Sequence, residues 1–260
     1  MPTLLGVPFD AASSWLRGAA AGPSTIRDAL HSPATNPWSE SLRNVVDERV
    51  LRDAGDVPLD TGDVRAAIDQ SAQHLIAGGA RLIALGGDHS VSYPLIRATQ
   101  RVLGRLTVLH LDAHPDLYPE YAGDRYSHAC PFARVMEERL ADRLVQVGIR
   151  TMNDVQRAQV DTFGVEVIDM RAWENGARPA VGGPVYVSID LDVFDPGFAP
   201  GVSHREPGGL SPRDVISLIQ GLDAQLVGAD VVELNPSQDL LGITAPLAAK
   251  LVKELAARML

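Results

Sequence analysis

The sequence has one cysteine, Cys130, in 260 residues, fewer basic than acidic side chains and no long apolar run. A lone cysteine cannot form an intramolecular disulfide, and its isolation excludes Cys-rich zinc frameworks. A reducing, cytoplasmic setting is expected. The 23 basic against 33 acidic residues leave a net charge of −10. That charge repels phosphate backbones and anionic headgroups at long range, so nucleic acid and membrane surfaces are not expected as partners, while cations and metal ions suit it. No window reaches the roughly 18 uninterrupted apolar residues of a spanning helix, and Met1 to Asp10 lacks a basic leader pattern. Neither a targeting segment nor a membrane span is expected. Repeats, low-complexity tracts and linkers are also missing; Ala19 to Ala21 and the Gly/Pro-rich Asn175 to Pro184 are short loops that do not divide the chain. A chain of this length buries roughly 70–75% of its unfolded surface, enough for one large core, and a single domain over residues 1–260 is expected.

What is present is an alternation of short apolar, β-branched runs with longer segments of helical period. The runs are Thr3 to Val7, Val45 to Val50, Arg81 to Leu85, Leu106 to Leu111, Leu144 to Ile149, Val165 to Ile168, Val185 to Ile189 and Val227 to Leu234. Several are apolar throughout, as strands covered on both faces are. Helices are expected at Val64 to Ala77, Tyr93 to Val102, Pro131 to Ala141, Pro212 to Leu222 and Ala245 to Met259. Two open with readable caps, Thr61 or Gly62 ahead of Asp63, and Ser211-Pro212 followed by Asp214. The pattern predicts an α/β fold: three layers, α/β/α, around a mostly parallel sheet of about eight strands.

Three motifs fall where such strands end. In LTVLHLDAHPD, His110, Asp112, His114 and Asp116 recur at a spacing of two, which on an extended chain puts them on one side. Carboxylates and imidazoles stacked behind an apolar run are costly without a cation. SIDLDVFDP repeats the arrangement with Asp190 and Asp192, whereas Asp195 before Pro196 reads as a turn cap. LIALGGDHS delivers His89 from a sharp glycine turn, with Asp88 read as a backbone acceptor. Ligands of parallel α/β sheets bind outside the carboxyl ends of the strands. His89, Asp112, His114, Asp116, Asp190 and Asp192 offer four carboxylates, two imidazoles and no thiolate, a set suited to Mn²⁺ rather than structural zinc. Six ligands exceed one ion's needs. Two divalent ions against four aspartates and a hydroxide leave the site near −1, compatible with a cationic substrate and with hydrolysis by activated water. His110, deepest in its strand, is assigned to the core behind the ligands. His31 and His74 carry no signal.

Together GGDHS, DAHPD and SIDLDVFDP resemble the ureohydrolase family of arginases, agmatinases and related guanidino or formimino hydrolases. GVPFD, GPSTIR, VELNPSQD and ITAPLAAK extend the likeness along nearly the whole chain, and YSHACPFARVME, LVQVGIR and APGVSHREPGGLSPRDV make it most like the plant-type arginases. The resemblance implies an arginase-like fold, two Mn²⁺ per chain and a homotrimer or homohexamer. Asp112 and Asp190 would bridge the ions, with His89 and Asp116 completing one and His114 and Asp192 the other; Asp116 would also orient the nucleophile. It implies that Glu233 positions the guanidinium and that His128 moves the proton a departing amine requires. His204 and Glu206 are candidates for the pocket mouth. Cys130 lacks a paired base and is not expected to act as a nucleophile.

The implied reaction is hydrolysis of L-arginine to L-ornithine and urea, with agmatine, other guanidino acids or formimino compounds as alternatives. LYPEYAGDRYSH, Leu117 to His128, lacks the Asn/Thr/Ser/Gly run with which animal-type arginases grip the amino-acid end, and after GIR stand Asn153 and Asp154. Substrate identity is therefore less determined than reaction class. A dinuclear metallophosphatase is disfavoured by the shortage of bases around the motifs, and an inactive metal-binding relative by the presence of every expected ligand.

Overall fold

The structure, a computed structural model, describes residues 1–60 and 62–260; the cap expected at Thr61 lies outside the described residues. Eight strands, β1 (Pro2–Val7), β2 (Arg52–Asp56), β3 (Arg81–Gly86), β4 (Thr107–Leu111), β5 (Arg143–Ile149), β6 (Glu166–Asp169), β7 (Pro184–Asp190) and β8 (Gln225–Val232), form one sheet in the order β2-β1-β3-β8-β7-β4-β5-β6. Every pairing is parallel.

Apolar strands require cover on both faces, because successive side chains point oppositely. Along β3, Ile83 and Leu85 enter one core while Leu82 and Ala84 enter the other; in β7, Val185, Val187 and Ile189 face the first and Tyr186 the second. The first core is closed by α1 (Gly22–Leu30), α7 (Pro212–Gly221) and α8 (Thr244–Arg258), the second by α2 (Val64–Ala77), α3 (Ser92–Leu103) and α4 (Pro131–Glu137). These are the three layers the alternation predicts. Each fully buried Leu, Ile or Val contributes roughly 1.5–3 kcal/mol.

Local chemistry sets the element ends. Ser211 and Asp214 form a reciprocal capping box at α7, as read from the sequence. At α2 the cap is Asp63 itself, which accepts from Ala66 N at 3.1 Å. The fourth helix stops at Glu137 instead of running to Ala141, because Arg139 takes a left-handed φ of 55°.

The strand expected at Val45 to Val50 is absent. That segment is held by turns in which the amides of Val50 and Leu51 donate to Asp47 O, and its apolar side chains pack on the core without pairing. The strand is Arg52–Asp56, an exposed edge whose polar RDAGD hides it from pattern reading. Arg27 of α1 ties it down, with Nε 2.8 Å from Asp53 Oδ2 and Nη1 2.5 Å from Asp56 Oδ1. Three helices were not expected: α1, α5 (Asp154–Phe163) and α6 (Met170–Glu174).

The sheet order places the carboxyl ends of β3, β8, β7 and β4 side by side. Each carries one of the chemically loaded segments. The β3 turn is tight enough that a Cβ on Gly87 would lie 1.8 Å from Phe9 O, so only glycine fits where GGDHS leaves the strand.

Candidate active site

His89 opens a short turn of helix behind Asp88, whose carboxylate accepts from Ser90 N at 3.1 Å and from Ala12 N at 2.9 Å, the backbone-acceptor role read for it. His89 Nδ1 then lies 3.1 Å from Asp112 Oδ2, 3.1 Å from Asp116 Oδ2 and 3.2 Å from Asp190 Oδ2. Asp112 follows β4, Asp190 ends β7, and Asp116 sits at a left-handed φ of 50° that swings its carboxylate back toward them. On the other side of Asp112, His114 Nδ1 is 3.4 Å from Asp112 Oδ1 and 3.0 Å from Asp192 Oδ2. The six residues singled out as ligands therefore converge into two adjoining groups that share Asp112.

The protons around His89 show what the cluster requires. Ser188 Oγ donates to Asp230 Oδ1 at 2.6 Å, so the 3.0 Å contact between Ser188 Oγ and His89 Nε2 needs the ring to donate from Nε2. That leaves Nδ1 as a lone pair, fully buried, without a hydrogen-bond partner among the described residues and facing three carboxylates. A lone pair and three anions in a buried cluster repel unless a cation stands between them. Without one, a proton fills the role: burial opposes it, but Asp112, Asp116 and Asp190 outweigh burial and raise His89 well above its ordinary pKa. Burial, with Asp192 and Asp112 beside it, likewise drives Asp190 well above the usual carboxylate range, and burial next to Asp112 lifts Asp192 to about 6. The oxygen-rich donor set and the orphaned imidazole nitrogen both fit divalent ions of the manganese type.

His110 supports this cluster from behind. Gln146 Nε2 donates to its Nδ1 at 3.0 Å, which makes Nε2 the protonated nitrogen, 2.7 Å from Asp112 Oδ2. Phe132 stacks on the ring at 3.8 Å, and burial keeps the pKa of His110 below its ordinary value. Its side chain thus orients the Asp112 carboxylate.

The cleft above the cluster, about 680 Å³ with its open mouth, is lined by His114, Asp116, Asp190 and Asp192 together with His128, His204 and Glu233. Glu233 follows β8 at a left-handed φ of 66° and accepts from His89 N at 2.9 Å. Its Oε1 is also 3.0 Å from His128 Nδ1, whose far nitrogen, Nε2, is 2.8 Å from Ser14 Oγ. Burial lowers the pKa of His128, but the Glu233 carboxylate prevails and lifts it to about 9, while His128 in turn holds Glu233 down against its burial. His204 lies 5.1 Å from the His128 ring; burial first, then His128, lowers its pKa and keeps it neutral. Glu206 is not brought to the cleft: its carbonyl accepts from Arg150 Nε at 3.0 Å, and its carboxylate is not among the lining groups. Asp195 accepts from Gly197 N and Gly208 N at 2.9 and 2.7 Å, the turn cap expected of it. Cys130 is buried, its thiol pushed up to about 12 by that burial.

Sequence reading did not single out Ser14, Tyr118, Gln146, Gln156, Ser188 or Asp230. A signal existed for Ser188, which precedes Asp190 at the same spacing of two that relates His110 to Asp112.

A sequence model of the Arginase family matches residues 2–257. Arginase 1, mitochondrial, of Arabidopsis thaliana is 46% identical over 276 residues, covering 99% of this chain and 80% of that protein. Arginase, mitochondrial, of Medicago truncatula is 45% identical over 99% of this chain and 81% of its own length. N(1)-aminopropylagmatine ureohydrolase of Thermus thermophilus is 39% identical over 90% of this chain and 82% of that protein. Among solved structures, an arginase from Medicago truncatula superposes with a TM-score of 0.94 at 45% identity, covering 99% of this chain and 87% of the other. The names of the plant relatives place those proteins in mitochondria and correct the cytoplasmic expectation. The inference failed because a lone, buried cysteine indicates only that no disulfide is needed, and any reducing compartment meets that condition. No described helix is long and apolar enough to cross a membrane. With a match this long, and with the motif residues gathered at the carboxyl ends of four adjacent strands, the chain belongs to the Arginase family, hydrolases of guanidino carbon–nitrogen bonds, and is most like the plant arginases.

Proposed function

We propose that this chain is a binuclear manganese ureohydrolase, a single domain over residues 1–260, that converts L-arginine to L-ornithine and urea. The observation that carries the reading is the buried His89 Nδ1 lone pair among three carboxylates, adjoining a second His/Asp group, in a cleft that also holds the Glu233–His128 pair. His89, Asp112, Asp116 and Asp190 would hold one ion and His114, Asp112, Asp190 and Asp192 the other. Such an ion pair supplies Lewis acidity and lowers the pKa of water, making a nucleophile at neutral pH.

The remaining steps belong to the chain's own side chains. A guanidinium keeps its charge at neutral pH, so it needs an anion to fix its plane, and Glu233 is the ionised carboxylate on the cleft wall that is not among the proposed metal ligands. Asp116, held in place by its left-handed backbone, accepts a hydrogen bond from the attacking water and aims it at the guanidino carbon. Collapse of the tetrahedral adduct expels an amine, which must leave protonated. With a pKa of about 9, His128 carries a proton at neutral pH and donates it; Ser14 on its far nitrogen keeps the ring oriented. Neutral His204 covers His128 at the mouth.

A second reading, hydrolysis of agmatine or another guanidino amine, is favoured by the lack of any Lys or Arg among the lining residues. Purified protein with Mn²⁺ should release urea from arginine, and Asp190→Ala should abolish turnover. No urea from arginine, agmatine, guanidinobutyrate or guanidinopropionate would refute the hydrolase assignment, and ammonia from formiminoglutamate would redirect it. The proposed assembly is a homotrimer or homohexamer, to be checked by light scattering.

A further inference from the structure

The two ring nitrogens of His128 meet partners of different character. Nδ1 is 3.0 Å from Glu233 Oε1, and a carboxylate oxygen can only accept, so Nδ1 keeps its hydrogen whether the ring is charged or neutral. The proton that the ring gains and loses is therefore the one on Nε2. That nitrogen is 2.8 Å from Ser14 Oγ. A hydroxyl serves both states: it accepts from Nε2–H when the ring is charged and donates to the Nε2 lone pair when it is neutral. Ser14 Oγ makes no other hydrogen bond among the described residues, which leaves its remaining capacity to solvent.

The His128 residue is 8% exposed and Glu233 4%, whereas Ser14 is exposed and lines the cleft. His204, the other imidazole at the mouth, is 5.1 Å away ring to ring and makes no hydrogen bond to His128. The loop between β1 and α1 that presents Ser14 is tied down on both sides of it. Ala12 N donates to Asp88 Oδ2 at 2.9 Å, and Ala12 O accepts from His128 N at 3.2 Å. Beyond Ser14, Leu16 O accepts from Asn235 Nδ2 at 2.9 Å, and Gly18 N donates to Asp10 Oδ2 at 2.7 Å. The backbone thus holds the hydroxyl against Nε2.

We propose that the Ser14 hydroxyl is the relay through which His128 recovers its proton from solvent between turnovers. This rests on the reading above in which His128 protonates the departing amine. Once Nε2 has given up its proton, the Ser14 O–H turns to the lone pair. An acid of the solvent, hydronium or a buffer acid, then protonates Ser14 Oγ while the hydroxyl hydrogen already there passes to Nε2. The acid's bond to hydrogen and the old O–H bond break, and a new O–H bond and the Nε2–H bond form. The serine ends as it began, and the conjugate base stays in solvent. Over the same cycle the attacking water returns one proton to the solvent, so the protons balance. Ser14 acts through His128 and needs no contact with the substrate.

The test uses the Mn²⁺-loaded enzyme saturated with whichever of L-arginine or agmatine it hydrolyses, in imidazole buffers of rising concentration at fixed pH and ionic strength. Ser14→Ala removes an exposed hydroxyl and leaves the backbone ties of the loop in place. It should lower kcat roughly tenfold or more, since positioned proton transfer contributes 10²–10⁴-fold. Imidazolium is small enough to reach Nε2 through the space the hydroxyl leaves. The kcat of Ser14→Ala should therefore climb with imidazolium concentration, while that of the wild type stays flat. Ser14→Thr, which keeps a hydroxyl, should recover most of the rate without added imidazole. A merely structural role for Ser14 would not make kcat depend on the buffer acid. An unchanged kcat in Ser14→Ala, or a loss indifferent to imidazolium, would overturn the proposal and leave the hydrolase assignment standing. A wild type that releases no urea from either compound overturns both.

Discussion

Asp112 is the one carboxylate measured against both histidines of the cluster, with Oδ2 3.1 Å from His89 Nδ1 and Oδ1 3.4 Å from His114 Nδ1, whereas Asp192 reaches only His114, at 3.0 Å. This asymmetry predicts unequal effects of removing either charge. An ion that binds only the folded chain stabilises it by about 2.7 kcal/mol at a hundred times its dissociation constant. Two filled sites give about 5 kcal/mol, which for a domain of this size raises Tm by roughly 10–20 °C. Chelator-stripped protein titrated with Mn²⁺ in a thermal melt should show a rise of that order. In Asp112→Asn the rise should nearly vanish, because both groups lose the charge they share. In Asp192→Asn about half should remain, because His89, Asp112, Asp116 and Asp190 are untouched, and an asparagine Oδ1 can keep the 3.0 Å bond from Ala113 N. The comparison is between shifts on adding metal, since each stripped variant also loses some carboxylate repulsion. Equal shifts in the two variants, or none in the wild type, would refute the two-group arrangement.

Glu233→Gln should drop the pKa of His128 from about 9 toward its ordinary value, read from the ring proton shifts by NMR; an unchanged value would mean another group holds the proton. Because the folded-state pKa of His128 is raised, the pair's stabilisation is full below the unfolded pKa and is lost as pH rises through about 9, so denaturation midpoints should fall between neutral pH and pH 9 in the wild type and stay flatter in Glu233→Gln. Phe132→Ala removes a fully buried ring stacked 3.8 Å from His110 and should cost about 3–5 kcal/mol in urea denaturation. Buried Arg134 donates from Nη1 to Pro119 O at 2.8 Å and to Arg125 O at 2.6 Å, and pairs with Glu137. Arg134→Met should therefore cost about 2–3 kcal/mol and lower kcat, because it frees the loop that carries His128, the proposed proton donor.

How far the sequence could be read follows from where each signal resides. Seven strands were legible from apolar runs, six of them largely buried and the edge strand β6 through Val165, Val167 and Ile168; β2 was not, because an edge strand of RDAGD is specified by its pairing to β1 and by Arg27. The residues proposed as metal ligands were legible because two segments repeat acids at the strand period. Ser14 was not, since its contact with His128 spans 114 positions and nothing near Ser14 announces it. Gln156 was hidden differently: it caps a helix the sequence reading did not place, so its side chain had no geometry from which to argue.

The least legible feature is also the most ordered. Gln146 on β5 pairs in register with His110 on β4, His110 with Ser188 on β7, and Ser188 with Asp230 on β8. Four polar side chains, all fully buried, thus form one line across four strands. In each strand that polar residue has an apolar neighbour on either side, so by itself it reads as an exception in an apolar run. Aligned by the sheet, they become a continuous support: Gln146 fixes the tautomer of His110, His110 donates to Asp112, and Ser188 passes the hydrogen bond of His89 to Asp230, which also accepts from Tyr186 OH at 2.8 Å. The proposed ligands Asp112 and Asp190 lie two residues further along, just past the end of β4 and at the last residue of β7. A ligand set built on loops alone would be free to relax its carboxylates apart in the absence of metal. Here the line beneath holds His89 and Asp112 in place, so the repulsion is built in, and the cation binding proposed for the site would draw on the folded sheet itself.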